Sequence, residues 1–386
     1  KSMVGLGNVD NTADSAKPVS TAQQAAIDAV STARSNLISY SGVNTSFSFN
    51  SGTSNNYIGL SAGTGAANDQ NIGIGSSALQ SNAGSYNVAA GYYTLSGNVG
   101  DDNVGFGQNA LYKNVGSDNI AAGPYSLDRN VGSDNIGIGE YAVCKNAGAD
   151  NIGLGQYSLF TNVGNFNVAA GYYALSGNIG DDNVGIGQSA LYKNVGSDSV
   201  GIGRKALYEN NGNLNIGIGD LAMYQPVSGN DNIGIGRQAL YENRGIYNTG
   251  NGKGALYQNF GDYNIATGYE ALYNSALGIH NIASGYQALI GIGAFTMRNN
   301  NGTDNIGIGQ STMRDNSGSN SIGIGKEALR TNQGDYNIAI GVNAMYGVVT
   351  TDFNIAIGVN AGNSLTSGEA NALIGKFAGD ALTTGS

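Results

Sequence analysis

A sixteen-residue unit recurs along this chain, and that periodicity limits its possible folds more than any other feature. NIGIG and close variants begin at Asn71, Asn87, Asn103, Asn119, Asn135, Asn151, Asn167, Asn183, Ser199 and Asn215, each step being 16 residues. The series continues from Asn232, Asn248, Asn264, Asn281, Asn305, Ser321, Asn337, Asn354 and Asn371, with some steps of 17. With a degenerate first copy near Tyr57 and another at Leu289, the count is 21. Such self-similarity marks a stack of structural units, each unable to bury its apolar face alone.

By position the unit reads N-[IV]-[GA]-[IA]-G-x-x-A-L-Y-x-N-x-G-x-[DY]. Apolar positions 2 and 4 alternate with small residues at 3 and 5, the period of a short strand. Positions 8 to 10 read as a second strand, and asparagine at 12 and glycine at 14 as turn residues that tolerate positive φ. The expected fold class is all-β: a parallel β-solenoid (β-roll) of about 21 coils, with its handedness undetermined. Ile72 and Ile74 are expected to face the coil interior, leaving Gly73 and Gly75 outward. Glycine within a strand costs about 0.5–1 kcal/mol against alanine, so a bare outward face suggests close approach by a second protomer. The alternative is that the glycines only permit tight bending.

Irregular places interrupt the array. Residues 1–50 lie outside it and read as an attachment or coiled-coil region. Within it, Ser20 and Gln23 form a capping-box signature for a helix over about 21–36, with Ile27, Val30 and Leu37 at heptad-like spacing. Residues 51–353 form the repeat array. Residues 354–386, where AG replaces ALY, read as an atypical C-terminal cap. Residues 87–119 and 167–199 are nearly identical, which suggests duplication of a five-coil block. The strand at Leu289 begins eight residues after Asn281, so half a coil is missing and a kink is expected there. Polar residues take position 4 at Asn251, Thr267 and Ser284. They suggest either an enclosed water or ion site or, as we favour, a face that is partly solvated or satisfied across a protomer contact.

Charge and composition exclude several roles. The formal net charge is −10 with no basic patch, against nucleic-acid or anionic-membrane binding. No apolar run reaches the ~18 residues of a transmembrane helix, so membrane insertion is not expected. No signal peptide is visible, and because the chain begins at Lys1 the natural N-terminus is expected upstream.

Candidate chemistry is sparse, and neither a catalytic site nor a cofactor or metal is expected. GNGKGAL at Gly250–Leu256 contains Gly252-Lys253 but lacks the GxxxxGK[ST] spacing of a phosphate loop. His280, the single histidine, falls in a turn without a GxSxG elbow. Cys144, the single cysteine, stands where other copies carry tyrosine and reads as a packing residue. Asp102, Asp118, Asp134, Asp150, Asp182 and Asp198 recur in turns but lack a calcium nonapeptide. The pairs Asp101-Asp102 and Asp181-Asp182 resemble glycosidase carboxylates only in being paired. Tyr192, Tyr208, Tyr224, Tyr241, Tyr257 and Tyr273 align at position 10 as an aromatic ladder. It is the weak candidate for receptor binding, set against packing of the rings on one another or on a neighbouring protomer.

The segment VGLGNVDNTADSAKPVSTAQQAAID, Val4 to Asp28, resembles one found in bacteriophage tail-fibre and related viral fibre proteins. The NIGIGxxAL array resembles repeats of the same fibres and is similar to the heads of trimeric autotransporter adhesins, which are trimeric left-handed parallel β-rolls. The resemblance implies a parallel homotrimer on the virion surface. Its N-terminal region would join other virion or tail proteins, and the fibre would serve attachment to a host glycan or protein. The host-contacting tip would be absent from this stretch or on another chain. The alternative is a trimeric adhesin on a bacterial cell surface. Neither reading makes the chain an enzyme.

Overall fold

The computed structural model describes residues 55–384 except 65, 67, 226, 276–277 and 285–295, together with 46–49 and, nearer the N-terminus, Thr21, Ala22, Gln24, Ala25 and Asp28. Those last five are helical; the rest of the helix expected over 21–36, with Ile27, Val30 and Leu37, lies outside the described residues.

The chain is an all-β parallel β-solenoid built on the 16-residue repeat. One short strand per repeat, such as Ile72–Ile74, pairs in parallel register with the next, Ile72 opposite Val88 and Ile74 opposite Ala90. The pairing continues to the last strand, Ala372–Ile374. The sheet has 21 strands; β1 (Ser46–Phe49) is antiparallel to β2 (Asn56–Gly59), and the other twenty are the rungs. At ~4.8 Å per rung they span on the order of 90–100 Å.

The second expected strand, positions 8–10, is absent among the described residues. A run of turns takes its place, in which residues 7, 9 and 11 are left-handed: Asn109, Leu111 and Lys113 have φ of 55°, 54° and 54°. A left-handed leucine costs roughly 1–2 kcal/mol. The hydrogen bonds show what offsets it. Leu111 N–H donates to the Ser126 carbonyl of the next rung, 2.9 Å, and Lys113 N–H to Ser96 of the previous one, also 2.9 Å. The intervening Tyr112 N–H closes a turn onto Asn109 within its own rung, 3.2 Å. The alternation leaves every amide bonded and turns Ala110 and Leu111, adjacent in sequence, into the same core. Short second strands do form beyond the expected positions 8–10, at positions 11–12 in Glu242–Asn243, Gln258–Asn259, Asn274–Ser275 and Thr331–Asn332 and at 12–13 in Val348–Val349.

The facing of the main strand reverses the sequence expectation. Position 3, glycine or alanine, is buried, whereas the large residues at 2 and 4 point outward: Ile74, Phe106, Ile138 and Ile186 are exposed. The core is a single file from position 9, fully buried and mostly leucine or methionine, such as Leu95, Leu111 and Met223, with Val143 in one rung. A Cβ on Gly185 would lie 3.0 Å from Leu175 Cγ. The inward glycine thus thins the coil so that leucine can reach the strand backbone; it does not admit a second protomer. The same reversal disposes of an enclosed site at Asn251 and Thr267, which lie on the exposed face.

Glycine at position 14 is not in the left-handed region expected of it. A Cβ on Gly132 would overlap the Gly148 carbonyl of the next rung, so the backbones stack too closely for any side chain. Asparagine at position 12 is likewise more than a turn residue. Asn130 Nδ2 donates to Asn114 Oδ1 at 2.8 Å and to the Gly132 carbonyl at 2.6 Å, and Asn146 donates to Asn130 in turn. A parallel file at position 1 accepts from the backbone, as in Asn103 N–H to Asn87 Oδ1, 2.9 Å. These buried amides form ladders, satisfied apart from Asn167 Nδ2, that tie each rung to its neighbours.

The kink expected at Leu289 is not a missing half-coil in the sheet. The strand Ile282–Ser284 pairs directly with Ile306–Ile308, Ile282 opposite Ile306, and Leu272 N–H reaches the Thr296 carbonyl at 3.1 Å. The rung is lengthened by eight residues with register preserved, and the copy counted at Leu289 lies outside the described residues.

Candidate functional site on the aromatic face

Because the turn run repeats at a fixed height per rung, side chains at positions 7 and 10 stack along the rod. The six tyrosines singled out from sequence do align: Tyr192, Tyr208, Tyr224, Tyr241, Tyr257 and Tyr273 follow one another with centroids 4.6–5.3 Å apart. All six are half-buried. Burial, more than the neighbouring Glu209 and rings, pushes the Tyr208 hydroxyl above its ordinary value, and burial leads likewise at Tyr257 and Tyr273.

A second ladder escaped the sequence reading. At position 7, Tyr125, Tyr141, Tyr157 and Tyr173 stack with nearly parallel rings at 4.8, 5.1 and 4.8 Å. It meets the first where Tyr173 contacts Tyr192 edge-on at 6.2 Å. The two therefore form one continuous spine from Tyr125 to Tyr273. The signal was a tyrosine recurring every sixteenth residue in the slot before the ALY motif. Cations lie over parts of it, with Lys205 Nζ 5.6 Å from the Tyr208 ring and 5.3 Å from Tyr224.

The position-7 ladder stops at Tyr125, with Asn109 in the slot that would extend it, and Asp128 stands at position 10 of the Tyr125 rung, where the preceding rung carries Tyr112. A recess of about 420 Å³ opens there, bounded by Tyr92, Tyr93 and Tyr112 on one side and Tyr125, Asp128 and Arg129 on the other, with Gln108 and Asn109 between. Tyr92 and Tyr93 are perpendicular at 4.5 Å, and Tyr112 meets Tyr93 edge-on at 6.4 Å. Asp128 is 9 % exposed, and its Oδ1 is buried without a hydrogen-bond partner. Burial raises its carboxyl above the usual range, against the pull of Arg129, Lys145 and Lys113.

The remaining candidates are structural. Cys144 is 1 % exposed and its thiol is pushed up to about 12, mainly by burial and secondarily by Asp128. His280 occupies a left-handed turn position (φ 53°), with Nδ1 3.0 Å from Asp304 Oδ1 and its ring 5.1 Å from Tyr263. Asp102, Asp118, Asp134, Asp150, Asp182 and Asp198 all take that same left-handed position, which aspartate tolerates well. Asp101 and Asp181 accept backbone N–H groups of the preceding rung, from Ser85 and Asn165, each at 2.7 Å. Gly252-Lys253-Gly254 forms the ordinary rung turn, with Lys253 Nζ 5.0 Å from the Tyr269 ring. Among the described residues no three His, Cys, Asp or Glu side chains gather as for a metal ion, and no helix is long and apolar enough to cross a membrane.

The fold and this face define a β-solenoid repeat protein with an aromatic spine. No protein-family model matches the chain, and no curated protein matches it.

Proposed function

We propose that this chain is the shaft of a virion fibre, a parallel homotrimer that serves host attachment by spacing or presenting receptor-binding surfaces. The observation that carries the reading is the outward apolar stripe of positions 2 and 4. Ile74, Phe106, Ile138, Ile186 and Ile235 belong to it, with Ile186 42 % exposed. The stripe runs from Ile72 to Ile235 before Thr249 and Asn251 interrupt it, and exposed apolar surface of such length is unusual for a monomer. A partner that covers it along the whole rod must share its rise per rung, which another copy of this chain in parallel does. The contact assigned from sequence to the glycine face is thereby moved to the isoleucine face.

In this reading the protein acts mechanically and by multivalency, several weak contacts combining into firm attachment. The resemblance of Val4–Asp28 to viral fibre segments supports an N-terminal junction with other virion proteins. Sedimentation equilibrium is expected to give three times the chain mass of 39.3 kDa. Replacing Ile186 and Ile202 together by lysine is expected to release monomers that keep their β-sheet spectrum. A wild-type monomer at micromolar concentration overturns the trimer. Immunogold labelling of intact particles tests the virion location; labelling of a bacterial surface instead favours the adhesin alternative.

A further inference from the structure

We infer that the recess at Asp128 is a glycan-binding site that holds one neutral or N-acetylated pyranose, a proposal that deepens the attachment reading above. Three observations converge. First, Tyr125 ends a stacked ladder: Tyr141 covers one face at 4.8 Å, while the rung on its other side offers Asn109 where a ring would continue the stack. An aromatic face bordering a recess is a platform for the apolar face of a sugar ring. Second, polar groups suited to hydroxyls surround it. Gln108 Nε2 already reaches the Tyr125 hydroxyl at 3.3 Å, and Asp128 lies in the wall, more than nine-tenths buried with one oxygen unpartnered. An apolar wall with a few converging polar groups is the usual form of a small-molecule site.

Third, the chain contains its own control. The duplicated block places Tyr172, Tyr173 and Tyr192 as Tyr92, Tyr93 and Tyr112 are placed, the first pairs both perpendicular at 4.5 Å. One rung further the copies part. Tyr208 stands in the slot of Asp128 and stacks on Tyr192 at 5.1 Å, and Lys205, in the slot of Tyr125, lies against Tyr208. The packing that closes the second copy is missing from the first, where a buried carboxylate replaces it at a cost in desolvation. A carboxylate in the wall favours a neutral sugar over a uronic acid.

The test is saturation-transfer NMR on the full chain with the methyl glycosides of glucose, galactose, mannose and N-acetylglucosamine, and with methyl glucuronide. We expect transfer to at least one neutral or N-acetylated glycoside at millimolar concentration. Asp128→Tyr, which installs the side chain of the duplicate, is expected to reduce it at least five-fold, and so is the surface change Gln108→Ala, which decides the matter if Asp128→Tyr does not fold. Absence of transfer from all the neutral glycosides, equal transfer in Gln108→Ala and wild type, or strongest transfer to the glucuronide overturns the site. Cell attachment is measured separately. Attachment without sugar binding removes this site and leaves the fibre reading; sugar binding without attachment does the reverse.

Discussion

Tyr57 fills from the strand side the volume that leucine fills from the turn side in a full rung, and Gly63 makes room for it: a Cβ there would overlap the tyrosine ring. The last rungs use the same exchange. Leu373 points inward from position 3, 3.0 Å from where Gly362 would carry a Cβ and 2.8 Å from the equivalent point at Gly379. In the first and last described rungs the large and small residues trade places, so that Tyr57 and Leu373 continue the file of leucines from the strand side.

This exchange predicts strong coupling. Gly63→Leu alone overpacks the first rung and is expected to cost about 1–3 kcal/mol. Tyr57→Gly alone leaves a cavity. The double variant restores the consensus arrangement and should recover most of the loss. Hydrogen exchange of the first three rungs measures the effect; simple additivity of the two changes would refute the swap.

The position-14 and position-3 glycines should respond differently to the same substitution. Gly132→Ala sets a methyl against the Gly148 backbone, which cannot yield without parting two rungs, so a loss of more than about 3 kcal/mol is expected. Gly185→Ala meets chiefly Leu175, a side chain able to shift, and alanine already stands at this position in Ala89 and Ala169. Its effect should stay within about 1 kcal/mol. Urea midpoints of the two variants decide the comparison.

Asn130→Ala breaks one link of the buried amide ladder. It leaves a donor on Asn146 and an acceptor on Asn114 without their partner. At ~1–3 kcal/mol for each of the two buried groups left unpaired, roughly 2–6 kcal/mol should be lost. Thermal melting followed by circular dichroism provides the measurement, and an unchanged midpoint would show that water replaces the link.

Cys144 gives a pH-dependent prediction. Its folded-state value of about 12 lies above the ordinary value of 9.0, so the folded chain holds the proton more tightly. The associated stability is fully present below pH 9 and declines as pH rises toward 12. A thiol reagent at pH 8 should label the native protein only as fast as it opens, and immediate labelling would contradict the burial. Cys144→Ser is expected to weaken the pH dependence above pH 9.

Much of the architecture was legible in the residues. Sixteen-residue spacing of the asparagines specified parallel stacking, because identical rungs bond best to themselves. Tyr192 to Tyr273 had to align once the rungs did. The swapped ends were visible as AG in place of ALY, though not the reason for it. The Asp128 recess was hidden, since it arises from two substitutions in different rungs that become neighbours only through stacking.

The sequence alone settled period, strand position and register, since these depend on local alternation and on like residues meeting like. Tertiary structure decided which parity of Ile-Gly-Ile faces inward. Alternation is symmetric between the two faces, and only the leucine arriving from the opposite wall breaks that symmetry. Leu175 needs the space that a bare Gly185 leaves, and no isoleucine could share it. The left-handed turns that aim both Ala110 and Leu111 inward were equally unreadable. Leucine resists that conformation by itself and accepts it only where bonds to the rungs above and below are already in place.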